Sequence, residues 1–162
     1  LRITGFVEPA RFDPCNYLQD VALRKKVTAL PWPEQCAAAE LICGNLKVHI
    51  CYLVPAGTTR ETPLTPESPI AVPMLKNVSG EALAGRLRGA PALSLDFDGT
   101  KIRLTLPKMA VEITAQIDGE RSVAEIRKRL GKGGHRLSKS AFSRKFNDLY
   151  KALNGMNVMF LR

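Results

Sequence analysis

Long apolar runs are missing from this sequence. No stretch approaches membrane-spanning length, and the N-terminus lacks the charged-then-apolar layout of a signal peptide. No membrane partner is expected, and the chain reads as cytoplasmic. Histidine is scarce, with only His49 and His135 to serve as general bases. The four cysteines, Cys15, Cys36, Cys43 and Cys51, lack a CxxC pair, which argues against a zinc framework. The best metal combination is Cys43, His49 and Cys51, three ligands at most, and free cysteines often act as small buried hydrophobes. Nucleotide-binding loops are absent too. Neither G-x-x-x-x-G-K-[ST] nor a G-x-G-x-x-G after a strand occurs, so Gly131, Gly133 and Gly134 lack the setting that cradles phosphate. No acid, base and nucleophile converge in the pattern, so neither catalytic nor metal residues are expected.

What the chain does have is positive charge in one place. Its 162 residues carry a formal +9, with an apolar share of 45% and a charged share of 24%, as in an ordinary globular protein. Residues 107–162 hold twelve Lys/Arg against five Asp/Glu; residues 1–106 are nearly balanced. Eight basic residues run without an acid between them: Arg127, Lys128, Arg129, Lys132, Arg136, Lys139, Arg144 and Lys145. Such asymmetry points to nucleic acid, to an acidic protein surface, or to a solvated face.

The fold is read as α+β. Leu1 to Val7 is a strand. Asp13-Pro14 opens a helix whose apolar stripe is Tyr17, Leu18, Val21 and Leu23 and which runs weakly to Leu30, ended by "PWP". Pro33 starts a second helix through "EQCAAAELICGNL", and "VHICYLV" is a strand. The stretch from Pro55 to Pro73, with five prolines, is an exposed connection. The expected domains are therefore 1–54, mainly helical with short strands, a linker at 55–73, and a second domain at 74–162.

That second domain opens with a short helix capped by Ser79. "LSLDFDGTKIRLTL" then forms a hairpin turning at Asp98-Gly99, with Leu95 opposite Ile102 and Leu93 opposite Leu104. Pro107 opens a helix burying Ala110, Ile113 and Ile117. Ser122 and Glu125 form a capping box for the next, which buries Val123, Ile126 and Leu130. Phe142, Phe146, Leu149 and Leu153 are the buried face of a helix over roughly 138–153. "MNVMFL" is a final strand with Met156, Val158 and Phe160 on one face. Hairpin, three helices and a strand is the order of a winged-helix-like module, whose third helix would offer Lys139, Ser143 and Asn147 along one line.

Two resemblances follow from these stretches. "IDGERSVAEI" with its basic helix resembles the small winged helices of bacterial peptide-modification systems, typified by the peptide chaperone of pyrroloquinoline quinone synthesis. That similarity implies peptide or protein docking, by strand addition to the hairpin. "GFVEPARFDPCNYLQD", "AAAELICGNLKVHICYLV" and "LYKALNGMNVMFLR" resemble the region that follows the catalytic core in certain bacterial class I S-adenosylmethionine-dependent methyltransferases. The matching positions are Arg11, Asp13, Pro14, Tyr17, Leu18, Ala39, Glu40, Leu41, Gly44, Asn45, Lys47, His49 and Tyr52, and the resemblance assigns none of them a catalytic role. The cofactor loop and ribose-binding acid of that family are absent. The resemblance therefore implies a non-catalytic accessory region, regulatory or substrate-positioning. S-adenosylmethionine would be bound only by a parent chain, whose catalytic domain would be the partner. The missing initiator Met agrees with a piece of a longer protein. The rival expectation is a nucleic-acid-binding module whose phosphate contacts are the eight basic residues above.

Overall fold

The computed structural model describes residues 1–58, 64–97, 99–135 and 137–162. Residues 59–63 of the expected linker, Asp98 of the expected turn and Arg136 of the basic run lie outside the described residues. The fold is α+β, with six α-helices and three two-stranded sheets among the described residues. The chain divides into two compact units, Leu1–Thr59 with Ser94–Leu104, and Arg60–Leu93 with Thr105–Arg162. The division passes through the hairpin strands as well as the Pro-rich stretch.

In the first unit, β1 (Arg2–Phe6) pairs antiparallel with β2 (Cys51–Val54), with an irregularity between Ile3 and Gly5. A following left-handed Glu8 and Pro9 turn the chain into a 3-10 turn over Pro9–Phe12. Asp13 does cap the next segment, accepting from the Cys15 N–H at 2.9 Å, but Pro14–Asn16 is again only a 3-10 turn. The expected helix from Pro14 to Leu30 is instead α1 (Val21–Thr28). Asp20 restarts the chain there by accepting from the Leu23 N–H at 2.6 Å. That late start breaks the expected stripe: Leu18 is buried, whereas Val21 is 79% exposed. α2 (Trp32–Cys43) is helical as expected and stops at Gly44, whose positive φ of 66° few other residues tolerate. β2 is shorter than the "VHICYLV" expectation, so His49 lies before the strand. The core gathers Phe12, Cys36 and Leu46, with Phe6 and Cys43 packed against them; the Phe6 and Phe12 rings stack at 4.1 Å. The hairpin strands are β4 (Ala92–Phe97) and β5 (Thr100–Thr105). Burial alternates along β5, with Ile102 fully buried between exposed Lys101 and Arg103.

The second unit is built around its longest helix. β3 (Pro73–Leu75) comes first, a strand the Pro-rich reading missed. α3 (Gly80–Leu87) is capped by Ser79, which accepts from the Ala82 N–H at 3.2 Å. α4 (Ala110–Thr114) is one turn long and follows a left-handed Met109, so the helix expected from Pro107 is cut at both ends. Ala110, Ile113 and Ile117 are nonetheless all buried. α5 (Val123–Lys132) carries the expected capping box: the Glu125 N–H donates to Ser122 Oγ at 3.3 Å, and the Ser122 N–H donates to Glu125 Oε2 at 2.8 Å. Its first turn is further satisfied by the Pro-rich stretch. The N–H groups of Val123 and Ala124 donate to the carbonyls of Ala71 and Pro69. The end of that stretch is therefore held in place, with Ala71 fully buried, where an exposed linker was expected.

α6 (Lys139–Gly155) buries Phe142, Phe146, Leu149 and Leu153, as the spacing predicts. β6 (Met159–Leu161) pairs antiparallel with β3, Met74 opposite Phe160. Met159 is fully buried, and Val158 and Phe160, which alternate with it, are half-buried.

Two glycines of α3 give opposite expectations. A Cβ on Gly80 would overlap the carbonyl oxygens of Thr114 and Ile117, whereas one on Gly85 would meet nothing. Gly80→Ala is expected to destabilise the protein by about 1–3 kcal/mol. Gly85→Ala is expected to stabilise it by about 0.5–1 kcal/mol through helix propensity. Urea unfolding of the two variants beside the parent checks both signs.

Candidate anion-binding site

The basic run does not present all its charges together. On α5, Lys128, Arg129 and Lys132 are exposed, while Arg127 is half-buried. The helical period explains the split. Residues 125, 128, 129 and 132 follow i, i+3, i+4, i+7 and share a side. With Arg121 from the preceding turn they line one open concavity of about 240 Å³, in which Arg127 takes no part. On α6, Lys139 and Arg144 are exposed and Lys145 is half-buried. Ser143 and Asn147 are half-buried too. The outermost line of α6 is Ser140, Arg144, Asp148 and Lys151, of mixed sign. This helix is a poorer seat for an anion than the α5 face.

Three members of the concavity's surroundings escaped the sequence reading: Gln116, Arg121 and Glu125 in this role. Arg121 Nη1 donates to the Gln116 carbonyl at 3.1 Å and sits 3.2 Å from Asp118 Oδ2. Arg129 Nε donates to Gln116 Oε1 at 3.2 Å. Spacing from Arg121 through Glu125 to Lys128 and Lys132 was available as a signal. The acid-free run, however, begins only at Arg127 and leaves the cap region out.

The two carboxylates here are already engaged. Asp118 is held below the usual carboxylate range, chiefly by the backbone N–H of Arg121, with help from that of Glu120 and from the Arg121 guanidinium. Glu125 is held below it by the backbone N–H and then the hydroxyl of Ser122.

Elsewhere, the chemistry-bearing residues of the first unit are in structural contacts. Burial pushes the Cys15 and Cys36 thiols up, with Asp13 adding to both, which disfavours thiolates. The Tyr17 hydroxyl donates to the Arg11 carbonyl at 2.8 Å, and burial, followed by Cys43, raises its pKa strongly. Cys43 Sγ lies 3.5 Å from Thr100 Oγ1. His49 Nε2 is 3.5 Å from Glu40 and its ring tilts against Phe6 and Phe12. Among the described residues no three His, Cys, Asp or Glu side chains come together as a metal set, so Cys43, His49 and Cys51 do not converge. No helix among the described residues is long and apolar enough to cross a membrane.

A carboxylate with a depressed folded pKa adds stability above its unfolded value, and that contribution is lost as pH falls through the folded value. Asp118 and Glu125 both act in this sense, modestly because they are exposed. The Asp118→Asn/Glu125→Gln variant is expected to show a flatter decline of Tm than the parent as pH is lowered through the carboxylate range. Thermal melts followed by circular dichroism read this directly.

No protein-family model matches the chain, and no curated protein matches it significantly.

Proposed function

We propose that the C-terminal unit, to which most of the β4–β5 hairpin expected of a winged-helix-like module does not belong, is a non-catalytic module that docks the phosphate backbone of a nucleic acid. One observation carries this reading: the acid-free run folds into the end of α5 and the start of α6, leaving Lys128, Arg129, Lys132, Lys139 and Arg144 exposed. Cations placed this way contact phosphates without reading sequence. With Ser143 and Asn147 half-buried, little on α6 favours base-edge recognition. The reading is therefore of backbone binding with weak sequence preference, in a cytoplasmic protein. Fluorescence anisotropy with random duplex DNA and with single-stranded RNA tests it. Affinity is expected to fall steeply between low and moderate salt, as released counterions require, and Lys139→Ala/Arg144→Ala to weaken binding. Absence of binding at low salt overturns the reading.

A second reading concerns the first unit, as an accessory region beside an S-adenosylmethionine-dependent methyltransferase domain. It is supported by where the resembling positions lie. Asp13 caps a turn, Pro14 and Ala39 are buried, Tyr17 is tied to Arg11, and Gly44 ends α2. Those are the duties of a scaffold. The two readings are compatible, since such a module can position a nucleic-acid substrate for a catalytic domain. Titration calorimetry of the chain with S-adenosylmethionine is expected to show no micromolar binding; a micromolar site would remove the non-catalytic assignment.

A further inference from the structure

We infer that the concavity beside α5 is a preorganised seat for nucleic-acid phosphodiesters, with Arg121 and Arg129 as its binding guanidiniums and Gln116 as the residue that positions them. The inference rests on the nucleic-acid reading above and narrows it to one site.

An exposed arginine ordinarily loses side-chain freedom when it grips a phosphate, and that loss weakens binding. Here part of the ordering exists beforehand. Gln116 accepts from both arginines, through its backbone carbonyl to Arg121 and through its amide oxygen to Arg129. Each guanidinium has five N–H donors in a planar fork. Arg121 spends Nη1 on Gln116 and Asp118, and Arg129 spends Nε on Gln116. Lys128 and Lys132 line the same hollow one turn apart, about 5.4–6 Å along the axis. Successive phosphates of one duplex strand advance about 3.4 Å, so the long lysine chains span one or two of them.

The acids nearby do not close the seat. Glu125 turns its carboxylate back to the Ser122 N–H and hydroxyl, and Asp118 turns to the Glu120 and Arg121 N–H groups. Four cations against two carboxylates leave a formal charge of +2 around the hollow. Arginine forks favour phosphate for its bidentate geometry, where a lysine offers a point charge. A carboxylate accepts the same fork, so the choice of phosphodiester comes from the nucleic-acid reading above, and the measurement below tests it.

The test is salt-titrated anisotropy of the full chain with labelled single-stranded RNA and random duplex DNA, with melting curves confirming that each variant folds. Arg121→Ala/Arg129→Ala is expected to lose about tenfold in affinity at low salt. The slope of log K against log salt should flatten by about 0.7–0.9 for each phosphate that the variant no longer neutralises. Gln116→Ala removes no charge, so it is expected to lower affinity severalfold with the slope kept. Arg121→Lys/Arg129→Lys should behave in the same way, keeping slope and losing affinity. Should Arg121→Ala disturb folding, Arg129→Ala alone is expected to give half the slope change. Parent-like binding by Arg121→Ala/Arg129→Ala, with Lys139→Ala/Arg144→Ala impaired, overturns the seat and leaves the nucleic-acid reading standing. Full affinity in the lysine variant overturns the claim that guanidinium geometry matters. If the parent chain binds neither nucleic acid at low salt, seat and nucleic-acid reading fall together.

Discussion

Burial of one face of α6 is the constraint on which the C-terminal unit depends. Phe142, Phe146, Leu149 and Leu153 are essentially removed from water, each adding about 1.5–3 kcal/mol against the entropy of ordering the chain. α4 and β6 pack on this helix, α3 and α5 pack on α4, and β3 pairs with β6. The order of dependence therefore runs outward from α6. Gly80 shows how tight the second layer is, because α3 approaches the carbonyls of Thr114 and Ile117 closely enough that no side chain fits.

Charge enters this arrangement only at its edges. The Ser122 capping box and the carbonyls of Pro69 and Ala71 together satisfy donors at the start of α5. That leaves the rest of the helix free to carry cations on the side away from Ile126 and Leu130. The same cap engages the carboxylate of Glu125, which lines the cationic face, and the Asp118 turn places Arg121 beside that face. A structural device at a helix start thus also shapes the electrostatics of the surface beside it. A phosphate-binding role for that surface draws on this coincidence of cap and charge, since neither the cap nor the basic run alone would bring Arg121 and Arg129 to one residue.

The N-terminal unit is organised differently. Its core is small and aromatic, centred on the stacked Phe6 and Phe12, and it leaves Leu1, Ile3, Leu41, Val48, Ile50 and Leu53 exposed. Short 3-10 turns, capped by Asp13 and opened by prolines, replace the longer helix that the sequence suggests. A proline at the start of each turn presets φ, and the Asp20 cap then starts α1 afresh, so Tyr17 and Leu18 never share a helix with Val21 and Leu23.

Where local chemistry and burial agree, the sequence alone settled the outcome: the α+β class, the Ser79 and Ser122 caps, and the buried stripes of α5 and α6 all follow from short-range patterns. Tertiary structure decided the rest. β3 arises only because β6 returns to pair with it, and a three-residue strand carries no pattern of its own. Packing against α6 buries the Met159 side of β6, which alternation alone does not select. The basic run was legible as composition, but its division was not. Arg127 leaves the group and Arg121 joins it because a helix distributes neighbours by angle, and because Gln116, five residues before Arg121 and thirteen before Arg129, is carried by the fold to within hydrogen-bonding distance of both.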